Sequence, residues 1–204
     1  MFYGNILLQF LTIMKKIVFD IETSNFFPDT GSNDPTSLDM SVCCIYDYET
    51  DKYSSYTKET LCDLWPILEK ADLLIGYNSD HFDIPVLNKY YSGDLTKIKS
   101  LDLLKEIKES IGRRLKLDSV AEATLNTNKS GHGGEAIVWW KNGEKQKVID
   151  YCTDDVRITK DVYEYALKNK LLKYKDGKEI KDIKLDTSHW DKKDDSAMTF
   201  TLPF

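Results

Sequence analysis

The run KIVFDIE at residues 16–22 is the most constraining stretch of this 204-residue chain. Its β-branched and aromatic side chains carry the signature of a buried strand. Yet Asp20 and Glu22 stand inside it. Alternate residues of a strand share a face, so the two acids point one way while Phe19 and Ile21 point the other, into the core. Acids at the C-terminal end of a strand sit where α/β sheets place their sites. The alternative, a solvent-facing polar pair at a strand end, fits poorly with so apolar a run. Two further acids, Asp83 in GYNSDHFDIPVL and Asp155 in DYCTDDVRIT, also stand where an apolar segment ends or turns. Carboxylates gathered from three distant segments are costly together unless something positive sits among them. Hard divalent cations with oxygen ligands are the natural neutraliser, which makes metal-assisted phosphoryl chemistry the leading reading.

The rest of the chain supplies a frame for these acids. Residues 24–37, rich in Asn, Asp, Gly, Pro and Ser, read as a loop. Residues 41–47 and 52–57 read as strands joined by a turn at Tyr48–Asp51, and with the first run they make an antiparallel meander. Thr57 is expected to cap a helix over about 59–70, with an apolar stripe at Leu61, Leu64, Trp65 and Leu68. Residues 71–78 form another buried strand. Asp83-Ile84-Pro85 opens a second helix, because proline fits a first turn. Amphipathic pieces follow at 101–112 and 117–125, and a Gly-rich stretch then leads into a helix bearing Trp139 and Trp140. A long helix runs from about 145 to 168, and Asp176-Gly177 marks a hairpin. Strands followed by helices in this order give an α/β fold whose mixed sheet is covered by helices.

Two of the motifs leave choices open. Tyr151 and Asp155 are four residues apart and so share one helical face. Asp154 lies about 100° further round and faces elsewhere. Asp83 either reaches the other acids or caps the helix it opens, a task that aspartate performs well. Asp80, earlier in the same turn, is set aside.

DIE in a first strand, N-x-x-x-F-D from Asn78 to Asp83, and Y-x-x-x-D from Tyr151 to Asp155 resemble the three motifs of the DEDDy 3′–5′ exonuclease superfamily. The similarity is to the proofreading exonuclease domain of family B DNA polymerases. It covers roughly residues 15–170 and includes LKLDSVAEATL after LDLL. The resemblance implies a ribonuclease H-like α/β fold with a mixed five-stranded sheet flanked by helices. It implies Asp20, Glu22, Asp83 and Asp155 as metal ligands, and Tyr151 as the group that orients the attacking water. The chemistry implied is hydrolysis of a phosphodiester with two divalent cations, Mg²⁺ or Mn²⁺, and no covalent intermediate. Thr23 and Ser24 follow the strand acids and are placed to meet the terminal nucleotide. Asn78 holds the scissile region or merely ends its strand; Phe82 stacks on a base or packs in the core. The substrate would be the 3′ end of a single-stranded nucleic acid, with DNA favoured. The competing readings are an RNA-processing exonuclease and a catalytically inactive nucleic-acid-binding or regulatory domain of the same fold. That inactive class is expected to lose acids, and all four stand here with the tyrosine.

Composition agrees with one folded enzyme domain. Hydrophobic content of 41% suffices for a real core, and a net charge of −6 disfavours a non-specific binder of long duplex DNA. Cys43, Cys44, Cys62 and Cys152 form no C-x-x-C pair and read as buried thiols in a reducing cytoplasm. Residues 1–14 are apolar but too short to span a bilayer, and read as an extension or start-site artefact before an exonuclease domain at 15–182. Residues 183–204 read as a polar tail ending in Leu-Pro-Phe, whose terminal Met198–Phe204 resembles a handle for a replication or repair partner. No membrane association is expected.

Overall fold

A computed structural model describes residues 14–127 and 133–192. The apolar extension through Ile13, His132 in the Gly-rich stretch and the Met198–Phe204 handle lie outside the described residues.

The first run becomes β1 (Lys16–Thr23), the middle strand of a five-stranded sheet. After a short helix α1 (Phe27–Thr30) come β2 (Met40–Asp47), which pairs antiparallel to β1, and β3 (Lys52–Tyr56), which pairs antiparallel to β2, as the meander predicts. Helix α2 (Leu61–Leu68) then crosses to β4 (Leu73–Gly76), which runs parallel to β1 on its other side. Helix α3 (Asp83–Asn88) leads to β5 (Ser100–Asp102), parallel to β4. The order β3-β2-β1-β4-β5, with both senses of pairing, is the expected mixed sheet.

Helices α4 (Leu103–Ile111), α5 (Leu117–Leu125), α6 (Gly133–Lys141) and the 25-residue α7 (Lys145–Asn169) follow. A separate hairpin, β6 (Leu171–Asp176) and β7 (Glu179–Lys184), turns at Gly177 with φ of 65°, a conformation glycine adopts freely. Among the described residues, no helix is long and apolar enough to cross a membrane.

The sheet buries both faces. Ile17, Phe19 and Ile21 pack with Leu64, Leu68 and Leu87 under α2 and α3. On the opposite face, Val18 and Ile75 pack with Val148, Cys152 and Val156 of α7. The alternation read from KIVFDIE is therefore real: Asp20 and Glu22 look toward α7.

Three local expectations shift. Thr57 does not cap α2; its carbonyl accepts from Thr60 N–H at 3.0 Å, and the helix begins only at Leu61. The strand expected over 71–78 stops at Gly76, because the chain doubles back so tightly that a Cβ there would lie 2.4 Å from Ser79 Cβ. The amphipathic piece at 101–112 gives its first residues to β5, since pairing with β4 runs through Gly76↔Asp102.

Packing continues past residue 182. Ile183 and Leu185 are buried, and Trp190 is fully enclosed, stacked on Tyr163 at 5.8 Å with its indole N–H donating to Glu106 at 3.1 Å. Beside it, Asp191 pairs with Lys16 at 3.3 Å, and both reach the Tyr163 hydroxyl.

Candidate active site

Helix α7 brings Asp155 over β1, where carboxylate oxygens of Asp20, Glu22 and Asp155 lie within 4.8 Å of one another. Helical spacing produces this: Val148, Cys152 and Val156 bury one stripe, which turns Tyr151 and Asp155 to the stripe's edge above the strand acids. Tyr151 stands beside Asp155 at the rim of this group, and its ring stands edge-on to Trp139 at 6.0 Å. Asp154 points outward to Arg157 at 3.2 Å, and Asp80 faces Lys105 at 3.7 Å, so both excluded acids are engaged elsewhere.

Asp83 is not one of that group of three, but it lines the same cleft and is held there by another route. Parallel pairing between β1 and β4 ends at Val18↔Ile75, so the far part of that β1 edge lacks a strand partner. Asp83 fills the vacancy: its Oδ1 accepts from Ile21 N–H at 3.0 Å, between the two strand acids. Phe82, not Asp83, is the N-cap of α3. The carboxylate that had two readings is thus tied to β1.

The electrostatics follow from this crowding. Burial, then Asp83, Asp155 and Glu22, hold the Asp20 carboxyl well above the usual range. Burial, then Asp155 and Asp83, do the same to Glu22. Burial pushes Asp83 up to about 7 against two backbone hydrogen bonds that lower it. Burial and then Asp155, Glu22 and Asp20 push the Tyr151 hydroxyl upward too. An all-oxygen donor set that resists ionisation through burial and mutual repulsion suits a hard divalent cation, whose charge opposes each of those shifts. A buried thiol completes the floor: Cys152 Sγ donates to the Asp20 carbonyl at 3.4 Å and to its carboxylate at 3.5 Å. Of the four cysteines, Cys62 is exposed rather than buried.

These groups open into a cleft of about 370 Å³. Thr23, Asn78 and Phe82 line it, but Ser24 does not: its N–H and hydroxyl both donate to the Asp39 carbonyl, at 2.8 and 3.2 Å. Thr23 is buried and its hydroxyl donates to Asn25 O at 3.1 Å. Phe82 meets Phe27 edge-to-face at 6.4 Å, so it belongs to both the wall and the packing behind it. Asn78 takes a left-handed conformation with φ of 68°, its N–H donating to Asp102 at 2.8 Å.

Sequence reasoning missed part of this wall. Phe26, Phe27, Leu38 and Ile137 supply apolar lining to the same cleft. Two adjacent phenylalanines in an otherwise polar loop were the available signal. Lys141 of α6 braces this wall, bound to Asp29 at 3.1 Å and lying over the Phe26 ring at 5.4 Å. Asp102 was also missed; it accepts from Asn78, Asp80, Leu104 and Lys105 N–H groups and so joins β5, α4 and the turn after β4.

The fold and the chain have relatives. No curated protein matches the sequence. The structure of the family B DNA polymerase from the hyperthermophilic archaeon Pyrobaculum calidifontis is similar over 76% of this chain, at 20% sequence identity and a TM-score of 0.58. The matched part covers 24% of that polymerase chain, and at such identity the likeness shows a shared fold. A family model of the RNase H superfamily matches residues 17–167, nearly all of the stretch from β1 through α7, and includes Asp20, Glu22, Asp83 and Asp155. The chain belongs to the RNase H superfamily.

Proposed function

We propose that this protein is a metal-dependent nuclease that removes nucleotides from the 3′ end of single-stranded nucleic acid, with DNA the favoured substrate. The observation that carries the reading is the meeting of Asp20, Glu22 and Asp155 within 4.8 Å, beside a tyrosine hydroxyl, on the floor of an aromatic-walled cleft. The superfamily supports a phosphodiester hydrolase. The fold shared with part of a DNA polymerase favours DNA over RNA.

Asp20, Glu22, Asp83 and Asp155 would hold two divalent cations, Mg²⁺ or Mn²⁺. Bound there, such ions supply an activated water and charge stabilisation at the leaving oxygen. The chain's own groups do the rest. Tyr151 directs its hydroxyl at the attacking water, held in place by Asp155 and the Trp139 ring. Thr23 and Asn78 flank the terminal nucleotide. Phe82 offers a face for its base, and stacking of that kind contributes about 1–3 kcal/mol. The apolar lining excludes bulk water, which strengthens the electrostatics within.

The test is digestion of a 5′-labelled single strand with Mg²⁺ or Mn²⁺. Stepwise shortening that EDTA stops is expected. Asp20→Ala and Asp155→Ala should abolish cleavage while circular dichroism stays unchanged. Internal cutting of a circular single strand would overturn the exonuclease assignment.

A further inference from the structure

The cleft does not end at Asn78. A second depression of about 350 Å³ continues from it, sharing Tyr77 and Asn78 and bounded beyond them by Arg114 and Lys116. We propose that this depression is a phosphate subsite, in which Arg114 and Lys116 hold the backbone of the strand that leads to the 3′ end. The proposal rests on the nuclease reading and extends it from the terminal nucleotide to the nucleotides before it.

Two features hold the basic segment against the cleft. Gly112, with φ of 75°, ends α4 in a left-handed turn that sends residues 113–116 back toward β4. The Tyr77 hydroxyl then donates to the Leu115 carbonyl at 2.9 Å, which pins the segment to the end of that strand. Arg114 and Lys116 flank the pinned residue and are exposed.

The two arginines divide. Arg113 turns away to Asp176 at 3.5 Å and lies over the Tyr174 ring at 4.6 Å. Arg114 instead donates to the Asn78 side-chain oxygen. That partner is neutral, so the bond directs the guanidinium without cancelling its charge. A guanidinium carries five N–H donors in a planar fork, and a single amide oxygen leaves others for phosphate. The same bond fixes the Asn78 side chain, whose backbone N–H is already held by Asp102. One arginine thereby joins the strand's backbone to a residue that lines the cleft. In a chain of net charge −6, this local positive strip is what an anionic strand needs to approach a floor of carboxylates.

Binding of a fluorescent single strand is measured in EDTA, over a series of salt concentrations, by anisotropy. Each phosphate no longer neutralised should flatten the salt slope by about 0.7. Arg114→Ala and Lys116→Ala should each weaken binding severalfold and flatten the slope, and the double variant should do so by about twice as much. Arg113→Ala should leave both unchanged. In cleavage assays, wild-type KM should fall as the substrate lengthens toward about six nucleotides, within the span a single-strand site covers. The double variant should lose most of that dependence. An unchanged salt slope and unchanged length dependence in the double variant would overturn the subsite even if the protein is an active nuclease. A flattened slope in a protein that cleaves nothing would retain the subsite and refute the catalytic reading alone.

Discussion

Asp83 shows how much a residue's chemistry depends on its backbone neighbours. In sequence it had two readings, because an aspartate at a helix opening is a common cap. The deciding partner, Ile21 N–H, is exposed for bonding only because β4 stops short. Nothing local to Asp83 encodes that. Asp20 and Glu22, by contrast, were legible from alternation alone, and Tyr151 and Asp155 from helical spacing. Two predictions belong here. Tyr151→Phe should lower kcat by about 10²-fold, the low end of the range for a positioned acid–base group, because it orients water without holding charge, whereas Asp155→Ala should leave no measurable cleavage. The second concerns pH. The folded pKa of Asp83 is raised to about 7, above its unfolded value. Below the unfolded value both states hold the proton. As pH rises toward 7 the unfolded chain loses it first, so the metal-free protein loses stability. Thermal melts in EDTA should show Tm falling from pH 5 to pH 8, less steeply in Asp83→Asn. Added Mn²⁺ should raise Tm more at pH 8 than at pH 5.

Among elements, those with long periodic patterns were readable: β1 to β3, α7 and the Asp176-Gly177 hairpin. The three residues of β5 were not, because so short a strand has no period and its apolar residues continue into α4. Its existence depends on pairing with β4, a tertiary fact. Asp102 ends β5 and caps α4 while holding two N–H groups of the turn that carries Asn78. Asp102→Ala should therefore cost at least the upper part of the range for removal of a cap, about 2 kcal/mol, in urea denaturation. Gly76 is the companion case. Gly76→Ala must displace Ser79, and overpacking of this kind costs about 1–3 kcal/mol. Because that turn also delivers Asp83, the same variant should lose activity even in buffer where it stays folded.

Across the whole molecule, the acids come from β1, α3 and α7, so the candidate site is assembled only when the sheet and its covering helices are complete. The sequence pattern could place each acid on its own element but not the apolar wall, whose residues come from the segment after β1 and from α6, far apart in the chain. Nor did composition reveal that Leu185 and Trp190, just beyond β7, are part of the core, since they stand in a charged and polar stretch. Trp190→Ala should cost about 3–5 kcal/mol by thermal or chemical denaturation, the scale for emptying a buried aromatic site. The acids of the candidate site are untouched by that change, so residual folded protein should keep whatever cleavage rate per molecule the wild type shows.

Lys16 opens the sheet and Asp191 lies near the last described residue, yet the two meet at the Tyr163 hydroxyl. The first and last of the described residues thus lie close together. A unit wired that way can be looped out of a host chain at a single site without dividing its core, or cut and rejoined elsewhere. Opening it in the β6–β7 turn and joining residue 192 to residue 14 through a short linker should give a rearranged chain with the same sheet and the same cleft.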